Sequence, residues 1–421
     1  MKNISQIIKT NKNLFKNFTS LSLLQISNYI FPVITLPYLV RILGPEKYGL
    51  VNFAAAFTGY FTILTDYGFN LSATQEISVN RDDKQKVSEI FSSVITLKIF
   101  FFISSTLLFF SLTIILPALQ SNMFLLVVTF FGVLGTALFP LWFYQGMEQM
   151  KYILIIYVSV RFVTTILIFV IVNTESDFIK YAGLNTVTQF VIAIIGLTFA
   201  LHKFGIKYTF PSQILIKQQL KKGWELFLST VWINLYTTSN VFILGLFASA
   251  NVVGYYAAAD KIRFAFQGVL SSMSQSLFPF VNKLLTESYV KFISFNRKLF
   301  KIALIIGAII SVLLFLFAAP IVRIVFGNEY QSSILVLKII AWLPLVIFLS
   351  NVLGIQTMLP LNKQRSFSLI LFFAAMINLI LSFILVPKYF EIGTSISVLV
   401  TEIFVTSSFY IFIKRNKILV V

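Results

Sequence analysis

The chain has 421 residues, of which 58% are hydrophobic and only 11% are charged. Soluble domains contain about 25% charged residues, so this composition and a mean hydropathy of +0.89 exclude a water-soluble globular fold. The absence of cysteine and the single histidine, His202, exclude disulfides, thiolate or histidine-rich metal sites, iron–sulfur clusters and cysteine nucleophiles. The formal charge of +18 has to be interpreted from where the basic residues fall.

Apolar runs of about 20 residues, the length that crosses a bilayer as a helix, alternate with short polar breaks along the chain. The pattern predicts an all-α, polytopic membrane protein with about twelve transmembrane helices. No small-residue cleavage site follows the lysine-rich first 16 residues, so we expect a cytoplasmic tail there and not a signal peptide. The predicted spans are 18–43, 49–74, 90–116, 123–144, 152–172, 178–201, 224–247, 252–281, 299–319, 333–359, 366–387 and 392–413.

The basic residues are distributed unequally between the two sides of these spans. With both termini in the cytoplasm, 23 of the 33 lysines and arginines fall in cytoplasmic segments and six fall on the opposite side. This asymmetry follows the positive-inside rule, supports the span count and assigns most of the net charge to topology. No nucleic-acid partner is therefore expected. When residues within about five positions of a span end are counted with the adjoining segment, four basic residues remain inside the spans, namely Lys98, Arg161, Lys261 and Arg263.

Weak internal similarities recur at a nearly constant offset. Residues 48–55 resemble residues 253–259 at an offset of 205, and Pro117 matches Pro320 at an offset of 203. The common offset predicts two six-helix lobes related by a pseudo-twofold axis along the membrane normal. The expected organisation is an amino-terminal lobe over 1–203, a cytoplasmic linker over 204–223 and a carboxy-terminal lobe over 224–421.

The first and seventh spans are rich in residues that form hydrogen bonds. They contain Gln25 and Asn28 in the first span and Asn234 and Asn240 in the seventh, together with several serines and threonines. Helices that face lipid would not carry so many polar groups, so we expect both spans to line a hydrated cavity between the lobes. The alternative is that serine and threonine bond to their own helices and that the amides bridge neighbouring helices.

The eighth span carries three charged residues, Asp260, Lys261 and Arg263. Their insertion would cost about 8–10 kcal/mol, whereas the apolar residues of the span return about 3 kcal/mol. This helix must therefore turn its charges towards protein or water. The alternative for Asp260 and Arg263 is an ion pair along one helix face, since they are three residues apart.

The basic residues within the spans predict a cationic site for a substrate headgroup, formed by Lys98, Arg161, Lys261 and Arg263. For Lys98, which lies two turns inside its span, the alternative is that the side chain extends to the interface. Three acidic residues within the spans are candidates for coupling to an ion, against buried structural hydrogen bonds: Asp66, Asp260 and Glu402.

No GxxxxGK[ST] phosphate loop is present, and an HExxH zinc motif is impossible with one histidine. No loop is long enough to form a separate extramembrane domain for a catalytic site. We therefore expect a protein that is not an enzyme and that needs no metal and no cofactor.

Three stretches resemble a known family. Residues 36–49, LPYLVRILGPEKYG, are similar to the opening of bacterial polysaccharide flippases of the Wzx type. These belong to the superfamily of multidrug, oligosaccharidyl-lipid and polysaccharide exporters. Residues 139–148, FPLWFYQGME, and 253–261, VGYYAAADK, are similar as well. The resemblance extends over the whole chain in span count, repeat and loop lengths.

The resemblance implies two six-helix lobes that give alternating access to a central basic cavity. The substrate would be an undecaprenyl-pyrophosphate-linked oligosaccharide, moved across the bacterial inner membrane for surface polysaccharide synthesis. The four basic residues would suit the pyrophosphate, and the polar spans would suit the sugar hydroxyls. The four basic residues are assigned to the headgroup from their depth and charge and not from the resemblance. The resemblance also implies contact with the polysaccharide polymerase and chain-length machinery, and a monomer is the default expectation.

Two alternatives remain open from the sequence. One is a drug or cation exporter of the same superfamily, which would place acidic residues in its cavity. The other is a membrane-embedded polymerase or ligase of glycans. The lipid II flippases of the superfamily have two more spans than this chain, so a peptidoglycan precursor is the less expected substrate.

Overall fold

The computed structural model describes residues 12–418, and most of the predicted cytoplasmic tail lies outside them. The described backbone is almost entirely helical and contains no β-strand. Short 3₁₀ turns at Glu175–Asp177 and Asn328–Tyr330 and a π-helical turn at Gly354–Met358 join some of the helices. The α-helices, in chain order, are α1 Lys12–Asp66, α2 Phe69–Asn80, α3 Lys84–Ile115, α4 Pro117–Gln120, α5 Met123–Leu138, α6 Leu141–Gly146, α7 Met150–Ile171, α8 Phe178–Phe204, α9 Gln213–Thr237, α10 Ser239–Phe247, α11 Ala250–Glu287, α12 Tyr289–Leu316, α13 Ala318–Val325, α14 Ser333–Ile340, α15 Leu343–Leu353 and α16 Gln364–Arg415.

Many of these helices are long and apolar enough to cross a membrane, judged by length and composition. The prediction of an all-α, multi-pass membrane protein is confirmed at this level. Within the described residues there are eight such segments, namely Leu23–Asn80, Lys84–Ile115, Met123–Gly146, Met150–Ile171, Glu175–Phe204, Tyr289–Leu316, Ser333–Met358 and Gln364–Arg415.

The two longest helices are kinked near their middles. Helix α1 has 55 residues and bends at Gly44. The φ of Gly44 is 63°, a value that glycine adopts without strain and that other residues adopt only with strain. Helix α16 has 52 residues and bends at Phe390, where φ is 47° and ψ is −121°. A straight helix of either length would measure about 80 Å, far more than the roughly 30 Å of a bilayer core. Each kink therefore divides its helix into two segments that are each long enough to span.

The chain forms two compact units. The first unit comprises the chain up to Phe31 together with Ala54–Val231, and the second comprises Pro32–Phe53 together with the chain from Trp232 onwards. Helix α9 begins at Gln213, inside the segment expected to be a linker. The lobe boundaries expected from the repeat stay a prediction.

The core of the first unit contains the family-like stretch 139–148. The side chains of Trp142, Phe143 and Tyr144 are fully buried in a cluster that also includes residues of α2, α3, α7 and α8. The Tyr144 hydroxyl donates a hydrogen bond of 2.6 Å to the carbonyl oxygen of Gly196. This stretch thus holds helices together within the unit.

In the second unit, the other two family-like stretches pack against each other. A Cβ atom added to Gly49 would lie 1.8 Å from the carbonyl oxygen of Ala250, and one added to Gly254 would lie 2.0 Å from that of Pro45. Only glycine permits two backbones to approach so closely. Arg41, from the same stretch, donates through Nε to the carbonyl oxygen of Val325 at the carboxyl end of α13, over 3.2 Å. Both stretches therefore have a structural role.

Candidate functional site

Lys98 and Asp66 form a buried ion pair in the first unit. Lys98 lies on α3 with 2% of its side chain exposed, and its Nζ donates to Oδ1 of Asp66 over 3.0 Å. The ammonium of Lys98 is therefore held against a carboxylate and shielded from solvent, whereas its position relative to the membrane interface stays a prediction. Lys98, which was predicted to bind the headgroup, and Asp66, which was predicted to couple to an ion, are thus paired with each other.

A tight turn holds Asp66 in place. Asp66 is the last residue of α1, and Tyr67 and Gly68 follow with positive φ values of 45° and 75°. The Tyr67 ring stacks on Phe101 and Phe227, with centroid separations of 4.7 and 4.9 Å. A carboxylate at the carboxyl end of a helix is disfavoured by the helix dipole, and the ammonium of Lys98 offsets that cost.

Arg263 in the second unit is paired with one acidic side chain and interacts electrostatically with a second. Its Nε donates to Oδ1 of Asp260 over 2.9 Å, one turn earlier on α11. Glu402, on α16, interacts electrostatically with Arg263 and is 8% exposed. The structure therefore has the ion pair that was the alternative interpretation, and adds a second acid to it. Arg263 thus already has a carboxylate partner, which bears on any role of Arg263 towards an anion.

Uncharged polar groups continue the Glu402 site within α16. The Asn378 side-chain amide donates to Oγ1 of Thr401 over 3.2 Å, and Thr401 donates to the carbonyl oxygen of Ser397 over 2.7 Å. Asn378 is fully buried, and its Oδ1 has no hydrogen-bond partner among the described residues. Sequence reasoning missed Asn378 and Thr401, although an asparagine within the apolar run 366–387 was an available signal.

Gln267, one turn after Arg263 on α11, was also missed. Its side chain is 5% exposed, and neither polar atom of its amide has a hydrogen-bond partner among the described residues. One face of α11 thus carries Asp260, Arg263 and Gln267 at helical spacing. The charge cluster predicted from the sequence is the start of a longer polar stripe.

Arg161 has different surroundings from Lys98 and Arg263, which are paired with carboxylates. Arg161 is half-buried on α7, and its guanidinium carbon lies 5.7 Å from the centre of the Tyr157 ring, a cation–π distance. Among the described side chains, no carboxylate forms a salt bridge with Arg161. Lys261 is exposed on α11. A single cationic site made from all four bases stays a prediction, since they are distributed over the two units.

The four predicted cavity amides are also distributed over both units. Gln25 and Asn28 are half-buried on α1 in the first unit. Asn234 and Asn240 flank the break between α9 and α10 in the second unit. The Oδ1 of Asn234 accepts from Thr238 Oγ1 at 3.2 Å, and Asn240 Nδ2 donates to the carbonyl oxygen of Thr237 at 3.4 Å. These bonds are local to the break between α9 and α10, and both the shared cavity and the alternative that the amides bridge neighbouring helices stay predictions.

The fold is that of membrane exporters and flippases. A solved structure of the lipid II flippase MurJ aligns with a TM-score of 0.74 at 13% identity, over 95% of this chain and 87% of that one. A multidrug resistance transporter of the MATE family, in the MOP superfamily, aligns with a TM-score of 0.75 at 14% identity, over 95% of this chain and 98% of that one. At such identities the likeness concerns the fold alone.

The chain belongs to the polysaccharide biosynthesis protein family, whose model matches residues 14–285. A relative from Escherichia coli (strain K12), which carries the provisional name O-antigen transporter, is 36% identical over 98% of this chain and 100% of its own length. The capsular polysaccharide biosynthesis protein CapF of Staphylococcus aureus is 24% identical over 95% of this chain and 99% of its own length. The resemblance to polysaccharide flippases is thereby confirmed at the level of the family.

Proposed function

We propose that this protein is a flippase that moves undecaprenyl-pyrophosphate-linked oligosaccharide units across the bacterial inner membrane for surface polysaccharide synthesis. The observation that carries the proposal is the full-length relationship to a protein named for O-antigen transport, at 36% identity. The fold agrees with the proposal, because a lipid II flippase has the same fold. The name of the relative describes a transporter, in agreement with the expectation that the chain is not an enzyme.

The proposed topology has twelve spans in two six-helix lobes, with both termini in the cytoplasm. Eight helical segments are long and apolar enough to cross a membrane. Two of them, Leu23–Asn80 and Gln364–Arg415, contain the kinks at Gly44 and Phe390, which would let each segment cross twice. The remaining two crossings would be α9 with α10, and α11. They are not among the eight segments, and they carry the amides and the charge cluster. A helix that lines a substrate path is expected to be polar.

Arg161 is the strongest candidate for the pyrophosphate within the proposed cationic site. A guanidinium offers a planar set of donors that matches phosphate oxygens. Lys98 and Arg263 share their charge with Asp66 and Asp260, so a phosphate has to compete with those carboxylates. Among the described side chains, no carboxylate forms a salt bridge with Arg161, so a phosphate would meet no such competition there. The amides Gln25, Asn28, Asn234 and Asn240 are proposed to bind the sugar hydroxyls.

Ion coupling is proposed for the acids that accompany these bases. Asp66 is paired with Lys98, whereas Asp260 and Glu402 both interact with Arg263. Because Arg263 is already paired with Asp260, the charge of Glu402 is the one that a bound proton or sodium ion would neutralise. Glu402 is therefore the acid we expect to respond to the coupling ion.

The test is deletion of the gene followed by labelling of the lipid-linked glycan in each leaflet. We expect the glycan to accumulate on the cytoplasmic face, native protein to restore it to the periplasmic face, and Arg161→Met to fail. Arg161→Lys keeps the charge and is the matched control, with partial activity expected because the planar donor set is lost. If the glycan reaches the periplasmic face without the protein and stays unpolymerised, the polymerase alternative replaces the flippase.

A further inference from the structure

An open apolar groove lies in the first unit between the early part of α1 and α7. Its volume is about 500 Å³, within the range of small-molecule sites. Leu23, Ile26 and Ile30 of α1 form one wall, and Leu154, Ile155 and Val158 of α7 form the other. Each set recurs at helical spacing on one helix face, a pattern that usually packs against another helix. Here the groove stays open.

The groove is lined almost entirely by hydrocarbon. Leu23 is 47%, Ile30 49% and Ile155 57% exposed. Ser27, the one serine contributed by α1, donates its hydroxyl to the carbonyl oxygen of Leu23 over 2.6 Å and so offers its donor to its own helix. The chemistry of this surface therefore suits an alkyl or isoprenoid chain.

Arg161 lies just beyond the groove on the same face of α7. It is seven residues after Leu154, which places it about 20° away around the helix axis. It is also eleven residues after Met150, where α7 begins, and so about 16 Å into the helix. This is about the middle of a 30 Å bilayer core. A phosphate bound at Arg161 would stand far from the interface where the phosphates of resident phospholipids lie.

We propose that this groove holds the polyprenyl chain of the lipid-linked substrate while its pyrophosphate is bound at Arg161. The inference rests on the proposed function and adds the path of the tail to it. Charge complementarity and the depth of Arg161 favour a lipid in transit over a resident phospholipid. The tail would stay in contact with the bilayer through the open side of the groove as the headgroup crosses.

The experiment uses full-length protein in proteoliposomes and a polyprenyl diphosphate that carries a diazirine near the end of its chain. Ile155→Trp fills the groove, and Ile166→Trp is the matched control. Ile166 lies on the same helix, 47% exposed, three turns beyond Ile155 and outside the groove. We expect photocrosslinking to the α1–α7 segment to fall about tenfold in Ile155→Trp and to stay native in Ile166→Trp.

Two results would overturn the groove assignment. One is native crosslinking in Ile155→Trp. The other is equal labelling by a diazirine-bearing phosphatidylethanolamine that is likewise lost in Ile155→Trp, which would make the occupant an ordinary bilayer lipid. Glycan transport is measured separately. If the native protein crosslinks the probe but moves no glycan, the proposed flippase function is refuted and the groove assignment stands. If the native protein moves glycan and Ile155→Trp crosslinks the probe as the native protein does, only the groove assignment is refuted.

Discussion

Lys98 and Asp66 show what a sequence reveals at the level of single residues and what it does not. Both stood out as ionisable groups in apolar segments, but they are 32 residues apart, and nothing in the sequence pairs them. A buried ion pair costs more desolvation than it returns unless its geometry is good, so it is weak evidence for stability alone. Removing one partner is nevertheless expensive, which makes the pair testable.

Lys98→Met should lower the free energy of unfolding by about 3 kcal/mol, because it leaves the carboxylate of Asp66 without its partner. The value is at the low end for buried pairs, since the Asp66 side chain retains 20% exposure. Thermal unfolding of purified protein in detergent measures the loss. A Lys98→Met variant as stable as the native protein would contradict the importance of the pair.

The double variant Asp66→Asn with Lys98→Met separates a structural role from a headgroup role. Neutralising both partners should restore stability to within about 1 kcal/mol of native, since no buried charge is left over. If the pair is only structural, glycan transport returns with stability. If Lys98 binds the headgroup, the double variant is stable and does not transport.

Asn378, Thr401 and Gln267 are harder to select from the sequence than the charged residues of the spans. Uncharged polar residues are common in these spans, and most serines and threonines bond to a carbonyl one turn earlier, as Thr401 does. What distinguishes Asn378 and Gln267 is that buried amide atoms are left without partners. That property depends on packing around the residue and is invisible in a linear pattern.

At the level of helices, the family-like stretches 36–49 and 253–261 have a physical explanation. They were noticed as similarities, and the structure brings them together at Gly49 and Gly254, where two backbones nearly touch. Helix types and most bounds followed from hydropathy. The kink at Gly44–Pro45 had a visible signal, whereas the kink at Phe390 had only Pro387 three residues earlier.

Gly49→Ala should destabilise the second unit, because the new methyl group would lie 1.8 Å from the carbonyl oxygen of Ala250. Relieving the overlap requires the helix backbones to separate, and overpacking of this kind costs at least about 1–3 kcal/mol. The matched control is Gly183→Ala on α8, where the nearest atom belongs to Val128 at 4.0 Å. Alanine favours a helix over glycine by about 1 kcal/mol, so this control should be as stable as the native protein or more so.

Thermal melts of the two alanine variants, in the same detergent, make the comparison. We expect a lower melting temperature and lower yield for Gly49→Ala only. Equal melting temperatures for Gly49→Ala and Gly183→Ala would show that the crossing of the two stretches tolerates a side chain, and would remove close approach as the reason for these glycines.

For the molecule as a whole, the arrangement of spans depends on α9, α10 and α11. These helices carry polar and charged residues and are not among the eight described segments that are long and apolar enough to cross a membrane, whereas the apolar runs and the positive-inside pattern predict that they cross. Composition gave the class of protein, and charge asymmetry gave an orientation. The sequence could not settle whether such polar helices cross, because the energy of crossing depends on what covers their charges.

The cysteine-free chain allows this topology to be measured with single cysteines and a membrane-impermeant maleimide. Ser176→Cys, in the turn between α7 and α8, should label in intact spheroplasts, and Ser212→Cys, before α9, only after permeabilisation. The decisive position is Asn251→Cys, exposed at the start of α11. If α9–α10 and α11 both cross, Asn251→Cys labels from outside while Glu287→Cys, at the other end of α11, labels only after permeabilisation. Protection of both positions in intact spheroplasts would contradict the twelve-span topology, because α9, α10 and α11 would then lie on the cytoplasmic side.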